Sequence, residues 1–444
     1  MRLRLQRRLR VLGPLLVLGC PLSAAAFCGF FVSGADAKLV NNASQVVLMR
    51  SGNRTVMTMS NNYKGPPEDF AMVVPVPVVL QKENVKVLPH DVFDHIDQLS
   101  APRLVEYWEQ DPCAPRYDEE KMARGGAVPV PRKAASAPAE EYGVKILAKF
   151  VVGEYQILIL SAEESSGLEK WLRAHKYKIP SGAAEALAPY VRDQMKFFVA
   201  KVDIAKVQRD AQGLLVLSPL RFHFESNELR LPIRLGLLNA EAKQDLIVYV
   251  LSPSSRFEVA NYRTVPIPTN LEVADEVRAS FPGFYAELFD ATISHYGGRA
   301  VVTEYAWDTG SCDPCPTPPL RPDELSTLGA DVMGQREMAR YGRFVLTRLH
   351  TRYDRQALSD DLIFRAAPAL EGGREGVAET RTQPGGMNNF QARYIIRHYW
   401  SGPIKCQNPQ WGIWGGPPGG AEPRPMAAQG LANAPRGKLA LGKV

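Results

Sequence analysis

The cysteines are the residues in this chain whose type and spacing come nearest to a chemistry. There are six: Cys20, Cys28, Cys113, Cys312, Cys315 and Cys406. Cys312-Asp313-Pro314-Cys315 has the C-x-x-C spacing, with proline third, of a thiol–disulfide exchange site. Such a site lowers a thiol pKa by placing the first sulfur at a helix N-terminus. Here Pro316, Pro318 and Pro319 follow at once and prevent an immediate helix. The spacing therefore reads first as a loop-fixing disulfide, with a catalytic dithiol as the lesser alternative. Cys28, Cys113 and Cys406 are further disulfide candidates, with partners that the sequence does not assign. No second C-x-x-C or C-x-x-H pair completes a zinc tetrahedron, so neither a metal nor another cofactor is expected.

The remaining chemistry-bearing residues are scattered. His90 and His95 are five apart, a poor fit to one helix face. His223, His350 and His398 fall in strand-like segments and read as packed or surface residues. There is no G-x-S-x-G, no H-E-x-x-H and no phosphate-cradling P-loop. Asp360-Asp361 and Glu163-Glu164 read as solvated turn and cap residues rather than an acid/base pair. Trp411 and Trp414 are candidates for stacking on a sugar or a peptide, while Trp400 reads as core.

These groups sit in a chain of 444 residues, more than one core usually holds. Residues 1–26 read as a signal peptide: Arg2, Arg4, Arg7, Arg8 and Arg10, an apolar Val11–Leu22, then Ala24-Ala25-Ala26 for cleavage. Two rival readings are a lipid anchor at Cys20, from Val17-Leu18-Gly19-Cys20, and a twin-arginine signal at Arg7-Arg8. No later run is long and apolar enough for a membrane helix. The formal net charge is +6, from 53 Lys+Arg against 47 Asp+Glu. The five leader arginines supply most of it, so a near-neutral mature chain argues against nucleic acid as a partner.

The clearest structural grammar runs from Tyr142 to Val207. Val144, Ile146, Ala148, Phe150 and Val152 alternate with the residues between them, as in a strand with one buried face. Gly153-Glu154 predicts a tight turn, and Tyr155 to Leu160 predicts a strand apolar on both faces. Ser161 and Glu164 predict a capping box for a helix carrying Leu168, Trp171, Leu172 and His175. A second helix around Leu187, Tyr190 and Val191 and a strand from Phe197 to Val202 complete the unit. The predicted fold class is α+β: largely antiparallel sheets with helices packed on this central hairpin-helix-helix-strand unit.

Elsewhere, Phe70 to Pro77 predicts an edge strand, because of its prolines, and Val92 to Trp108 a helix broken at Ala101-Pro102. Further strands are expected around Leu229–Leu237, Leu246–Leu251, Arg299–Trp307, Arg343–Arg352 and Phe390–Tyr399, and a kinked helix over Glu276–Ser294. An echo of strands, helix and Asp-Pro-Cys ends at Cys113 and again at Cys315, read either as duplication or as shared α+β habit. The expected organisation is a β-rich lobe over 27–113, a Pro/Ala-rich mobile linker over 114–141, a main α+β domain over 142–407, and a disordered Gly/Pro-rich tail over 408–444.

Several strings also stand together: Phe27-Cys28-Gly29-Phe30-Phe31, Pro66-Pro67-Glu68-Asp69-Phe70, Cys312-Asp313-Pro314-Cys315, Leu346-Thr347-Arg348-Leu349-His350 and Phe390-Gln391-Ala392-Arg393-Tyr394. With the Trp171-Leu172 helix and Ala188-Pro189-Tyr190, the chain resembles a family of secreted bacterial proteins known as domain of unknown function 2330. The resemblance implies a periplasmic or cell-surface location and transfers no catalytic residue. The expectation is a non-enzymatic envelope protein, a binding or structural module for an envelope component, either glycan or protein. The alternative is a periplasmic enzyme: a hydrolase, or a thiol oxidoreductase using Cys312 and Cys315.

Overall fold

The structure, a computed structural model, describes residues 30–33, 43–60, 70–114, 139–141, 143–175, 177, 179–209, 215–238, 243–334, 344–374, 383–418 and 425–427. The expected leader, Cys20, Cys28 and residues 115–138 of the expected linker lie outside them.

Two sheets carry the fold, and residue alternation explains how they stack. A six-stranded antiparallel sheet has the order 30–33, 70–76, 196–202, 155–162, 144–152, 139–141. A larger mixed sheet has Gln244–Ser252 at its centre, parallel to Ala43–Ser51 and antiparallel to Val345–Tyr353. Ile157, Ile159, Phe198 and Ala200 of the first sheet meet Val46, Leu48, Met57 and Met59 of the second in one shared core. The intervening Leu160, Phe197 and Val199 face the opposite way, onto Trp171, Leu172, Leu187 and Tyr190 of the helices Ser165–Ala174 and Ala183–Arg192. Val47, Met49, Ile247 and Leu251 likewise point away from the shared core, onto Val92, Phe93, Ile96 and Leu99 of the helix Asp91–Ser100. The result is helices, sheet, sheet, helices, an α+β architecture built on two-sided strands. Burying each large apolar side chain in these layers contributes about 1.5–3 kcal/mol.

The third element group positions the candidate site. The strand Arg103–Glu109 runs parallel to Arg393–His398, which also pairs with Leu271–Glu272. The helix Phe281–His295 packs Phe281, Phe284 and Tyr285 against Tyr394 and Ile396 of this sheet.

The hairpin-helix-helix-strand unit is present, with Gly153 at φ +55° in its turn. Its predicted capping box is not. Ser161 stays in the ladder opposite Lys145, and the helix begins at Ser165 without a side-chain cap. Phe70–Val76 is interior where 30–33 pairs with residues 70–73, and Pro75 falls just past that pairing. Pro75 still lies opposite Phe197 of the strand 196–202, so it sits where the strand is paired on one side only. The predicted helix over 92–108 ends at Ser100; beyond Pro102 the chain is the strand Arg103–Glu109. The strand expected from Leu229 stops at Leu231, ahead of Pro232.

The expected division into lobes 27–113 and 142–407 does not describe the sheets. Ala43–Ser51 and Arg54–Ser60 lie in the same sheet as Gln244–Ser252 and Leu220–Glu225, so the two stretches share one core. Nor is the whole of 408–444 loose: residues 408–418 are tied into the Arg103–Glu109 edge. The two Asp-Pro-Cys strings differ locally. Cys113 N–H donates to Asp111 Oδ1, whereas Asp313–Pro314 is a cis peptide.

Candidate functional site

The charges of the strand Val345–Tyr353 are not at the surface. Arg348 and His350 sit mid-sheet, with both faces covered, and both are buried. Opposite them the strand Ala300–Asp308 shifts register between Thr303 and Tyr305, leaving Glu304 as the bulged residue between two paired neighbours. A bulge re-aims a side chain, and here it delivers the Glu304 carboxylate to Arg348 Nε at 2.6 Å and His350 Nδ1 at 2.8 Å. Tyr285 O–H donates to the same carboxylate at 2.6 Å. Arg348 Nη1 donates to Asp97 Oδ1 at 2.5 Å, His350 Nε2 lies 3.1 Å from Asp245 Oδ1, and Arg352 joins Asp245 to Asp290.

Burial alone would push the Glu304 carboxyl up; His350 and Arg348 override it and hold it down at about 2. Burial pulls the His350 imidazole down, but Glu304 and Asp245 outweigh that and raise it. Alternating charges joined in this interior, with Arg348 Nη2 alone of that guanidinium's nitrogens left without a partner among the described residues, tie the sheet to the helices on its face. Asp361 behaves similarly. It was expected in a solvated turn, yet it is buried, accepting from Tyr190 O–H at 2.7 Å and Ile233 N–H at 3.0 Å. Two histidines also act as struts. His95 lies between Glu324 Oε1, at 2.6 Å, and Pro318 O, at 2.9 Å, while His223 meets Asn84 at 3.2 Å. Among the described residues no group of three or more His, Cys, Asp or Glu is arranged to hold a metal ion.

Cys312 and Cys315 are joined as a disulfide, Cα–Cα 5.0 Å. Cys315 is exposed and Cys312 half-buried against the helix-side core. The two carbonyls between them are both received by buried side chains. Arg103 Nη1 donates to Pro314 O at 2.8 Å, and Gln391 Nε2 donates to Asp313 O. Neither Arg103 nor Gln391 was singled out from the sequence.

The second disulfide, Cys113–Cys406 with Cα–Cα 5.6 Å, closes a separation of 293 residues and anchors the segment after Arg393–His398. That segment carries the exposed aromatics. The buried Glu109 carboxylate accepts the Trp400 and Gly412 backbone N–H groups at 3.1 and 2.8 Å. Gln110 N–H donates to Ile413 O at 2.8 Å, and Trp414–Gly415 pairs with Trp108 and Glu109. On this frame the Tyr399 and Trp414 rings meet edge to face, centroids 5.3 Å apart, with Arg397 Cζ 5.1 Å from the Trp414 centroid. Glu272 accepts from Tyr399 O–H at 2.9 Å and Arg397 Nη1 at 3.0 Å. Tyr399 is 61% and Trp411 54% exposed. Trp400 is only partly buried, and its ring covers Gly402, where a Cβ would sit 2.4 Å from it. His398 is stacked on Trp108 at 4.4 Å and bonded to Glu106, behind the aromatics.

The structure thus brings Trp414 together with Tyr399, Arg397 and Glu272, three residues that sequence reasoning passed over. The usable signal was the alternation of Arg397, His398 and Tyr399 at the end of a strand, just before a cysteine. Among the described residues no helix is long and apolar enough to cross a membrane.

No curated protein matches the chain. Among solved structures, a mutated baculovirus P35 after caspase cleavage is similar over 48% of this chain and 67% of its own, at 14% identity and a TM-score of 0.23, a likeness too slight to carry an argument. The model of DUF2330, an uncharacterised protein conserved in bacteria, matches residues 22–365, and the chain belongs to that family.

Proposed function

We propose that this protein is exported to the bacterial envelope and works there as a binding module, with the Tyr399–Trp414 platform as its contact face for an envelope glycan. The observation that carries the reading is the platform: an exposed Tyr399 edge to face with a half-buried Trp414, beside a carboxylate–guanidinium pair, on a loop fixed by a disulfide and by Glu109. A pyranose ring has one apolar C–H face and a rim of hydroxyls. Aromatic faces suit the first, and Glu272 and Arg397 offer an acceptor and a donor for the second. Holding the loop rigid before binding lowers the entropy lost on association. Its other large group of ionisable side chains, around Glu304, is enclosed and engaged with itself. The basic, apolar leader and the paired cysteines support an oxidising compartment outside the cytoplasm. Because the family match ends at residue 365, ahead of Arg397, Tyr399 and Trp414, the glycan reading rests on geometry rather than on kinship.

The test is co-sedimentation of the chain with purified peptidoglycan sacculi, with titration of soluble oligosaccharide fragments followed by tryptophan fluorescence. Trp414→Ala and Tyr399→Ala should each weaken binding at least about tenfold, equivalent to about 1.4 kcal/mol, with thermal stability retained. Equal binding by these variants, or binding only to envelope proteins, removes the glycan assignment. Recovery of the chain from cytosol with its leader intact removes the export.

A further inference from the structure

Beneath the Cys312–Cys315 loop lies a buried cation with no ion-pair partner in contact among the described residues: the Asp313 carboxylate of the loop favours its charge from a distance, and the Arg348 and Arg393 guanidinium groups oppose it. Arg103 is wholly buried, and among the described residues it forms no ion pair. Nη1 donates to Pro314 O at 2.8 Å, Nη2 donates to Leu99 O at 2.7 Å, and Nε has no partner. Its guanidinium carbon lies 5.6 Å from the Tyr305 ring centroid. Neutral carbonyls and a ring face compensate a buried guanidinium only in part, and burial pulls its pKa down to about 10. An anion released beside it would be stabilised. Asp313 answers its charge only in part, and the groups of the same loop that can add a further anion are the two sulfurs; Pro314 O belongs to the peptide unit that leads into Cys315.

We propose that Cys312 and Cys315 form a thiol–disulfide exchange site, in which Arg103 is the positioning residue that stabilises the thiolate released on reduction. This goes beyond the glycan reading and stands or falls independently of it. The exposed Cys315 sulfur is the one open to attack. A thiolate of an incoming dithiol bonds to Cys315 Sγ as the Cys312–Cys315 bond breaks, and its electron pair leaves on Cys312 Sγ. The second thiol of the donor, losing its proton, attacks the mixed disulfide and frees the Cys315 thiolate. The donor leaves as a disulfide, two electrons have passed to the protein, and the donor's two protons are shared between solvent and the two sulfurs. Exchange sites of the helical kind lower the leaving thiol's pKa with a helix dipole; the prolines after Cys315 forbid that here, and a buried guanidinium takes the dipole's place. The seat does not depend on the S–S bond. Gln391 also donates to Gly373 O at 2.8 Å, and Arg103 to Leu99 O, so both donors stay in position when the sulfurs part.

The experiment is a pH–rate profile of iodoacetamide alkylation on the native full chain after dithiothreitol treatment, with peptide mapping to assign each labelled cysteine. Native-state reduction confined to Cys312–Cys315 is expected, with one of its thiols titrating at least about one unit below the ordinary value near 8.5. Arg103→Met should bring that thiol back toward 8.5 and slow its alkylation at pH 7 several-fold, and Arg103→Lys should largely restore it. A disulfide that opens only on unfolding, or a wild-type profile with both thiols at about 8.5, overturns the proposal without reference to any variant. An unshifted profile in folded Arg103→Met overturns the role of the arginine.

Discussion

Replacing Arg348 by methionine tests whether the buried charges hold the helices Asp91–Ser100 and Phe281–His295 on the larger sheet. The guanidinium is wholly enclosed, 2.6 Å from Glu304 Oε2 and 2.5 Å from Asp97 Oδ1. At an effective dielectric near 20, unit charges about 4 Å apart attract by about 4 kcal/mol. Methionine keeps much of the side-chain volume, so the cavity contribution is small and the loss is chiefly that of two carboxylates deprived of their cation. Breaking such a pair from one side costs about 3–5 kcal/mol. With an m-value of about 3 kcal/mol/M, the urea midpoint should fall by about 1–1.7 M. Glu304→Gln alone should also destabilise, by removing the acceptor shared by Arg348, His350 and Tyr285. In the double variant the losses should be less than additive by about 2 kcal/mol or more, as groups in one network require. Urea unfolding followed by tryptophan fluorescence reads all four corners of the cycle. An Arg348→Met midpoint within about 0.3 M of wild type, or strict additivity, would refute the claim that the network stabilises the fold.

Stability should also depend on pH in two windows of opposite sign. Glu304 is depressed in the folded chain, from 4.5 to about 2, so its contribution is complete above about pH 4.5 and is lost as pH falls toward 2. His350 is raised above 6.5, so its contribution is present below that value and lost as pH climbs through the folded pKa. Urea midpoints measured from pH 2 to 9 should therefore peak on the mildly acidic side of neutral, with Glu304→Gln flattening the acid limb and His350→Gln the alkaline one; unchanged limbs in both variants would exclude these groups. Separately, Cys113→Ser with Cys406→Ser opens a closed loop of 293 residues, for which chain entropy predicts a loss of up to about 6 kcal/mol. Hydrogen exchange should show the amides of Gly412 and Gln110, which donate to Glu109 and to Ile413 O, losing protection first, and protection equal to wild type would mean that these bonds hold the segment without the disulfide.

The layers were legible because they rest on alternation. Val46 and Leu48 against Val47 and Met49, and Phe198 against Phe197, announce strands with two buried faces, and the helix with Trp171 and Leu172 shows its stripe at 3.6 spacing. What alternation does not encode is partnership. The parallel pairing of Ala43–Ser51 with Gln244–Ser252 joins segments some two hundred residues apart, and nothing local marks it. For that reason the N-terminal stretch read as a lobe of its own. The segment from Asn408 was misjudged for a related reason. Its order comes from backbone bonds to Glu109, Gln110 and Pro112 and from one disulfide, none of which needs a large apolar side chain. Arg348 and His350 were visible inside a strand flanked by Leu346 and Leu349, but their burial depends on Glu304, and Glu304 turns inward only because of a bulge that its sequence does not declare.

One strand carries both proposed chemistries. Arg103, at the start of Arg103–Glu109, receives the Cys312–Cys315 loop, while Glu109 at its end fixes the backbone of Trp400 and Gly412. At about 3.3 Å per residue the two ends are roughly 20 Å apart. Between them the strand is paired at every step from Arg103 to Trp108 with Arg393–His398, the strand that leads directly into Tyr399. A ladder of that length does not slide by fractions of a residue, because its hydrogen bonds admit only whole registers. The electrostatics at one end and the aromatic geometry at the other are therefore held by a common rigid element without sharing a side chain. This gives a physical reason for a buried, only partly compensated arginine at the first position: its desolvation cost is borne by a strand paired along its whole length, where the fold can absorb it, and the surface at the far end keeps its shape whichever state the sulfurs are in.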